Sequence, residues 1–208
     1  MDDKKLKLLE KDLTDSDLEF YLKQELVAVD CEMMGLNVYR DRLCLVQISD
    51  DDRNVRLVKI EQGQDLAPNL QKLFENENVL KLFHFARTDV AWLKFWLNIR
   101  VKNYFCTKIA SKIARTYTDK HGLKDLCKEV IGKDISKAQQ SSDWGGSYLN
   151  KDQLNYAAND VYFLPEIYRT LRIMLIREGR LELAEKAIKC IDTMTELDNL
   201  GYLSILEH

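Results

Sequence analysis

Apolar residues come in short dense runs through the first part of the chain and at helical spacing through the rest. LVAVDCE (26–32), LCLVQIS (43–49) and VRLVKI (55–60) are each six or seven residues long. The turn-forming stretches GLNVYRDR and DDDRN separate them. Such spacing predicts three strands with an antiparallel start. VLKLFHF (79–85) and VKNYFC (101–106) predict a fourth and a fifth strand. Helical patterning predicts helices over PNLQKLFEN, with Pro68 in a first turn that tolerates it, over TDVAWLKFWL, and over 107–115 and 122–131. A further helix should start at Asn150, an N-cap type with Gln153 three residues on, and be interrupted by Pro165. Ala184, Ala187, Ile188 and Ile191 mark an apolar helical face near the end. Strands first, then strands mixed with helices, imply an α/β fold: a mixed β-sheet flanked by helices.

No Pro/Gly/Ser-rich linker divides the 208 residues, which contain only 8 Gly and 2 Pro. One domain is expected, with residues 1–24 as an N-terminal arm and 182–208 as a C-terminal helix and tail. The opening MDDKKLKLLEKDL lacks a signal-type apolar core, and charges break every later apolar run. A soluble, cytoplasmic protein without membrane contact is expected. The five cysteines are scattered and form no CxxC pair, so reduced thiols packed as small hydrophobes are expected. The net charge of −3 is unlike that of a protein that tracks long nucleic acid by its backbone.

The charged residues of interest lie inside the apolar runs. Alternation along the first predicted strand puts Leu26, Ala28, Asp30 and Glu32 on one face. Asp89 opens a predicted helix just after an apolar strand. Tyr156 and Asp160 stand one helical turn apart within YAANDVYFL. Taken singly, each has an ordinary explanation: a solvated strand end, a first-turn carboxylate facing the helix dipole, a buried acid satisfied by a phenol.

Taken in order, VAVDCEMMGL, HFARTDVAWL and YAANDVYFL resemble the three motifs of the DEDD exonucleases of ribonuclease D type, in the subgroup with tyrosine in the third motif. SSDWGGSYLNKDQLNYAANDV resembles the approach to that motif, and the likeness spans roughly 25–175. RDRLCLVQIS, FCTKIASKIARTYTDKHGLKDLC and ISKAQQSSDW are similar to the short bacterial relatives known as nanoribonuclease C, almost end to end. Cys31 and Met33 depart from the threonines usual in the first motif and spare its acids.

The resemblance implies a ribonuclease H-like exonuclease fold and two Mg²⁺ ions, with Mn²⁺ as a substitute. Asp30, Glu32 and Asp160 would hold one ion, Asp30 would bridge to the other, and Asp89 would act largely through water. Tyr156 would orient the attacking water. The implied activity is 3′–5′ exoribonuclease action on very short RNA, dinucleotides included, giving 5′-mononucleotides. Relatives of this kind assemble into rings, so a homo-oligomer is implied. Full-length ribonuclease D carries further helical domains for which this chain leaves no room.

Leu36 matches the family position that wedges against a terminal base, or is an ordinary core leucine. His84 is a substrate contact or a structural histidine. Lys108, Lys112 and Arg115, at i, i+4 and i+7, form a basic stripe that is either a solvated face or a phosphate contact led by Lys108. Trp92, Trp96 and Trp144 read as core. The rival functions are a general 3′–5′ exonuclease on longer RNA or DNA, and a catalytically silent nucleic-acid-binding module.

Overall fold

The computed structural model describes residues 5–136, 138–202 and 205. Six strands form one sheet: β1 (Leu6–Glu10), β2 (Leu26–Met33), β3 (Leu43–Ser49), β4 (Val55–Lys59), β5 (Leu80–Phe83) and β6 (Tyr104–Cys106), in the order β1-β4-β3-β2-β5-β6. β3 pairs antiparallel with both β2 and β4, and the other pairs are parallel. The antiparallel start read from turn spacing is therefore present, and so is the mixed sheet. β2 and β3 lie at the centre and are apolar on both faces, as two-sided burial requires.

The segment read as an N-terminal arm is an integral part of this sheet. It supplies β1, which pairs with β4, and helix α1 (Asp15–Tyr21). Thr14 caps α1 by accepting from the Asp17 N–H. Arg56 of β4 reaches Asp17 at 2.6 Å within the fold, tying helix to strand. VLKLFHF yields a four-residue strand, and VKNYFC a three-residue strand at its C-terminal end.

Helices α2 (Pro68–Phe74), α3 (Ala86–Leu97), α4 (Thr107–Ala114) and α5 (Leu123–Ile131) follow. Helix α6 (Lys151–Tyr162) begins in a complete capping box between Asn150 and Gln153. It stops before Pro165, which enters the first turn of α7 (Leu164–Arg177), and the freed Val161 carbonyl accepts from the Phe163 N–H instead. α6 lies over β2, β3 and β4, and α7 continues over β2 and β5. The last helix, α8 (Leu181–Asn199), packs on α3, buries Ala184, Ile188 and Ile191, and is pinned by a two-pronged Arg87–Asp198 pair at 2.7 Å. Of the tail beyond it, residues 203, 204 and 206–208 lie outside the described residues. Among the described residues no helix is long and apolar enough to cross a membrane.

Candidate metal centre and the cavity around it

β2 delivers Asp30 and Glu32 on one face near its C-terminal end, and a register shift directly after Glu32 ends the regular pairing with β3. Bulges of this kind re-aim side chains beside functional sites. α6 covers the same face with Tyr156 and Asp160, one turn apart as the spacing requires. Carboxylate oxygens of Asp30, Glu32 and Asp160 all lie within 4.8 Å of one another. Asp89, in the first turn of α3, is buried nearby and stands outside this trio.

Electrostatics set the character of the cluster. Burial is the main force raising the Asp30 pKa, followed by repulsion from Asp89, Asp160 and Glu32. Glu32 is pushed up to about 9 by burial and then by Asp160 and Asp89. Asp89 rises to about 8 through burial, opposed by its own backbone N–H and by the backbone N–H and thiol of Cys31. The Tyr156 phenol is raised above its usual range by burial, by the Asp160 and Glu32 charges and by its hydrogen bond to Asp160. Converging, desolvated carboxylates without a cation are mutually unfavourable. Hard oxygen donors so arranged fit a divalent cation of the Mg²⁺ class.

This arrangement gives the metal-free protein a pH signature. A carboxyl whose pKa is higher in the fold than in the unfolded chain binds its proton more tightly in the fold. The stability it confers is full below the unfolded value near 4.5 and is lost as pH rises through about 9. A divalent cation held by these carboxylates would take the place of those protons, so the increase in Tm on adding Mg²⁺ should grow from about pH 6 to about pH 9. Thermal unfolding in EDTA and in saturating Mg²⁺ across that range checks this. An increment independent of pH would show that the cation binds elsewhere.

The site opens into a cavity of about 340 Å³ lined in part by Leu36, His84, Phe85 and Lys108. Leu36 is 92% exposed, which excludes the core reading. His84 Nδ1 lies 3.0 Å from Thr107 Oγ1, placing the ring at the end of β5 beside the cluster. The basic stripe does not exist as one face: Lys108 lines the cavity and Lys112 is exposed, but Arg115 is only 1% exposed and pairs with Glu129 of α5. Helix α4 ends at Ala114, so Arg115 leaves the helical spacing and turns inward. Trp92 and Trp144 are buried and Trp96 packs on the core as expected.

Two contributors were not legible in the sequence. Trp144 stacks at a tilt on Tyr156, with ring centroids 6.0 Å apart, and so fixes the phenol. Phe85, immediately before α3, adopts a left-handed backbone with φ 72° and ψ 45°. For a bulky side chain that state costs on the order of 1–3 kcal/mol. No periodicity announces such a residue.

The sequence model of the 3′–5′ exonuclease family matches residues 8–176. The chain belongs to the 3′–5′ exonuclease family. Within it, ribonuclease D of Acidiphilium cryptum is 36% identical over 170 residues, which is 81% of this chain and 43% of that protein. The chain thus spans less than half the length of this ribonuclease D. Solved structures of Brucella melitensis NrnC superpose closely. NrnC with bound Mg²⁺ gives a TM-score of 0.91 at 42% identity over 98% of both chains. NrnC bound to pGG gives 0.91 at 43% identity, again over 98% of both. The fold is the ribonuclease H-like fold of ribonuclease D-type exonucleases, and the chain resembles NrnC along nearly its whole length.

Proposed function

We propose that this protein is a two-metal 3′–5′ exoribonuclease that converts very short RNA, dinucleotides above all, to 5′-mononucleotides. The observation that carries the proposal is the convergence of Asp30, Glu32 and Asp160 within 4.8 Å, with Tyr156 one turn from Asp160. Bound divalent cations would supply an activated water and stabilise the leaving oxygen, as two ions about 3.5–4 Å apart do in other nucleases. Asp30, Glu32 and Asp160 would hold one ion, Asp30 would also serve the second, and Asp89 would act through water. Tyr156 orients the water through its hydroxyl, and the buried Trp144 keeps the phenol ring in place.

The cavity wall supports three substrate contacts. Leu36 wedges against the terminal base, His84 contacts the nucleotide beside the cluster, and Lys108 faces a 5′ phosphate. The NrnC complex with pGG supports a short ligand. The acidic net charge supports the same reading, because affinity that grows with length along a phosphate backbone needs a basic surface.

The test is a time course with Mg²⁺ on 5′-phosphorylated RNAs of two and of twenty nucleotides at matched concentrations of 3′ ends. The dinucleotide should disappear faster. Equal or faster loss of the longer RNA would reject the short-substrate reading in favour of a general 3′–5′ exonuclease.

A further inference from the structure

β3, the inner strand beside β2, is apolar from Leu43 to Ile48 except at Gln47. Gln47 is fully buried, and neither its amide nitrogen nor its amide oxygen has a hydrogen-bond partner among the described residues. A buried amide left unpaired works against the fold, so its presence calls for a role outside folding. The register sets Gln47 directly opposite Asp30 of β2 on one side and Leu57 of β4 on the other. Residues opposite each other in an antiparallel pair point to the same face, with Cβ atoms about 4.5–5.5 Å apart. Gln47 therefore lies on the face that carries Asp30, in the layer between the sheet and α6. Its neighbours on that face along β3 are Leu45 and Ser49, and the Ser49 hydroxyl already donates to the Asp50 carbonyl. Of these neighbours Asp30 alone is an acid, and a glutamine side chain spans the gap to it. A carboxylate oxygen that binds a cation keeps further lone pairs, and donors to them fix the orientation of the ligand.

We infer that Gln47 is a positioning residue: with a cation on Asp30, the Gln47 amide N–H donates to the Asp30 carboxylate, directly or through one water, and fixes its orientation. The amide acts from beneath, on a carboxylate of the trio, and touches neither substrate nor cation. Its contribution is to cation affinity rather than to the metal-free fold. This inference rests on the reading of Asp30 as a metal ligand given above.

The test uses Gln47→Met, an unbranched replacement of similar size that removes both polar atoms. The amide makes no hydrogen bond in the fold, so the variant should melt in EDTA at an equal or higher temperature. Its affinity for Mn²⁺, read from the electron paramagnetic resonance of the free ion, should fall by roughly 10–100-fold. Leu57→Met alters packing on the other side of Gln47 and should bind Mn²⁺ as the unmodified protein does. A residue that only packs would not lower cation affinity while leaving the metal-free fold as stable. Equal Mn²⁺ affinity of Gln47→Met and the unmodified protein overturns the inference. So does an equal loss in Leu57→Met, which would assign the effect to packing. A lower melting temperature of Gln47→Met in EDTA, or its failure to fold, overturns it too by making the amide structural. Mn²⁺ binding that is missing from the unmodified protein, or that survives Asp30→Asn unchanged, would strike the metal reading, and this inference with it.

Discussion

Asp160→Asn is expected to abolish cleavage while leaving the fold intact. A neutral amide oxygen is a weak donor for a hard cation, and losing one carboxylate from the trio removes several kcal/mol of charge stabilisation. The turnover rate should therefore fall by at least roughly 10³-fold. Asparagine occupies nearly the same space and can still accept from the Tyr156 hydroxyl, so the packing of α6 on the sheet should hold. Asp160 is also the largest charge acting on Glu32, so the Glu32 pKa should move down from about 9 in the variant. Product release from a labelled dinucleotide with Mg²⁺ measures the loss. A variant that keeps near its original rate would remove Asp160 from direct contact with the cation.

Tyr156→Phe should act on the rate and spare binding. The phenol titrates above its usual range because it is buried beside Asp160 and Glu32, so it is protonated at neutral pH and works by orienting rather than as an anion. Removing one such oriented contact typically lowers kcat by ~10²–10⁴-fold. Phenylalanine keeps the ring against Trp144, so KM should change little. Steady-state kinetics separates the two quantities. A raised KM with unchanged kcat would make Tyr156 a substrate-binding residue.

Simple periods made each local pair legible, and the meeting of Asp160 with Asp30 and Glu32 was implied by the resemblance of the three motifs. Alternation along β2 placed Asp30 and Glu32 together, and one helical turn placed Tyr156 above Asp160. The chain breaks at Asn150 and Pro165 follow equally local rules. β1 escaped notice because LKLLE is an edge strand, half-exposed, whose pattern shows neither clean alternation nor a solid apolar run. Its neighbour α1 did leave a trace, Thr14 three residues before Asp17, a spacing typical of helix starts. Arg115 was misplaced because its partner Glu129 comes from another helix, and spacing along α4 contains no information about that contact. The exposure of Leu36 and the backbone state of Phe85 depend likewise on the assembled rim of the cavity.

The parallel docking of β1 has a consequence for the edge of the sheet. β4 is apolar and fully covered at Val55, Leu57 and Val58, and one row of its backbone N–H and C=O groups is matched only by β1. Stripped of that partner, β4 would be an open margin ready to recruit a strand from another chain and begin aggregation. β1 closes this margin and replaces it with a poorer template, since Lys7 and Glu10 point charge into solvent along the new rim. Residues Leu6–Glu10 thus keep this margin of the sheet from templating a strand of another chain.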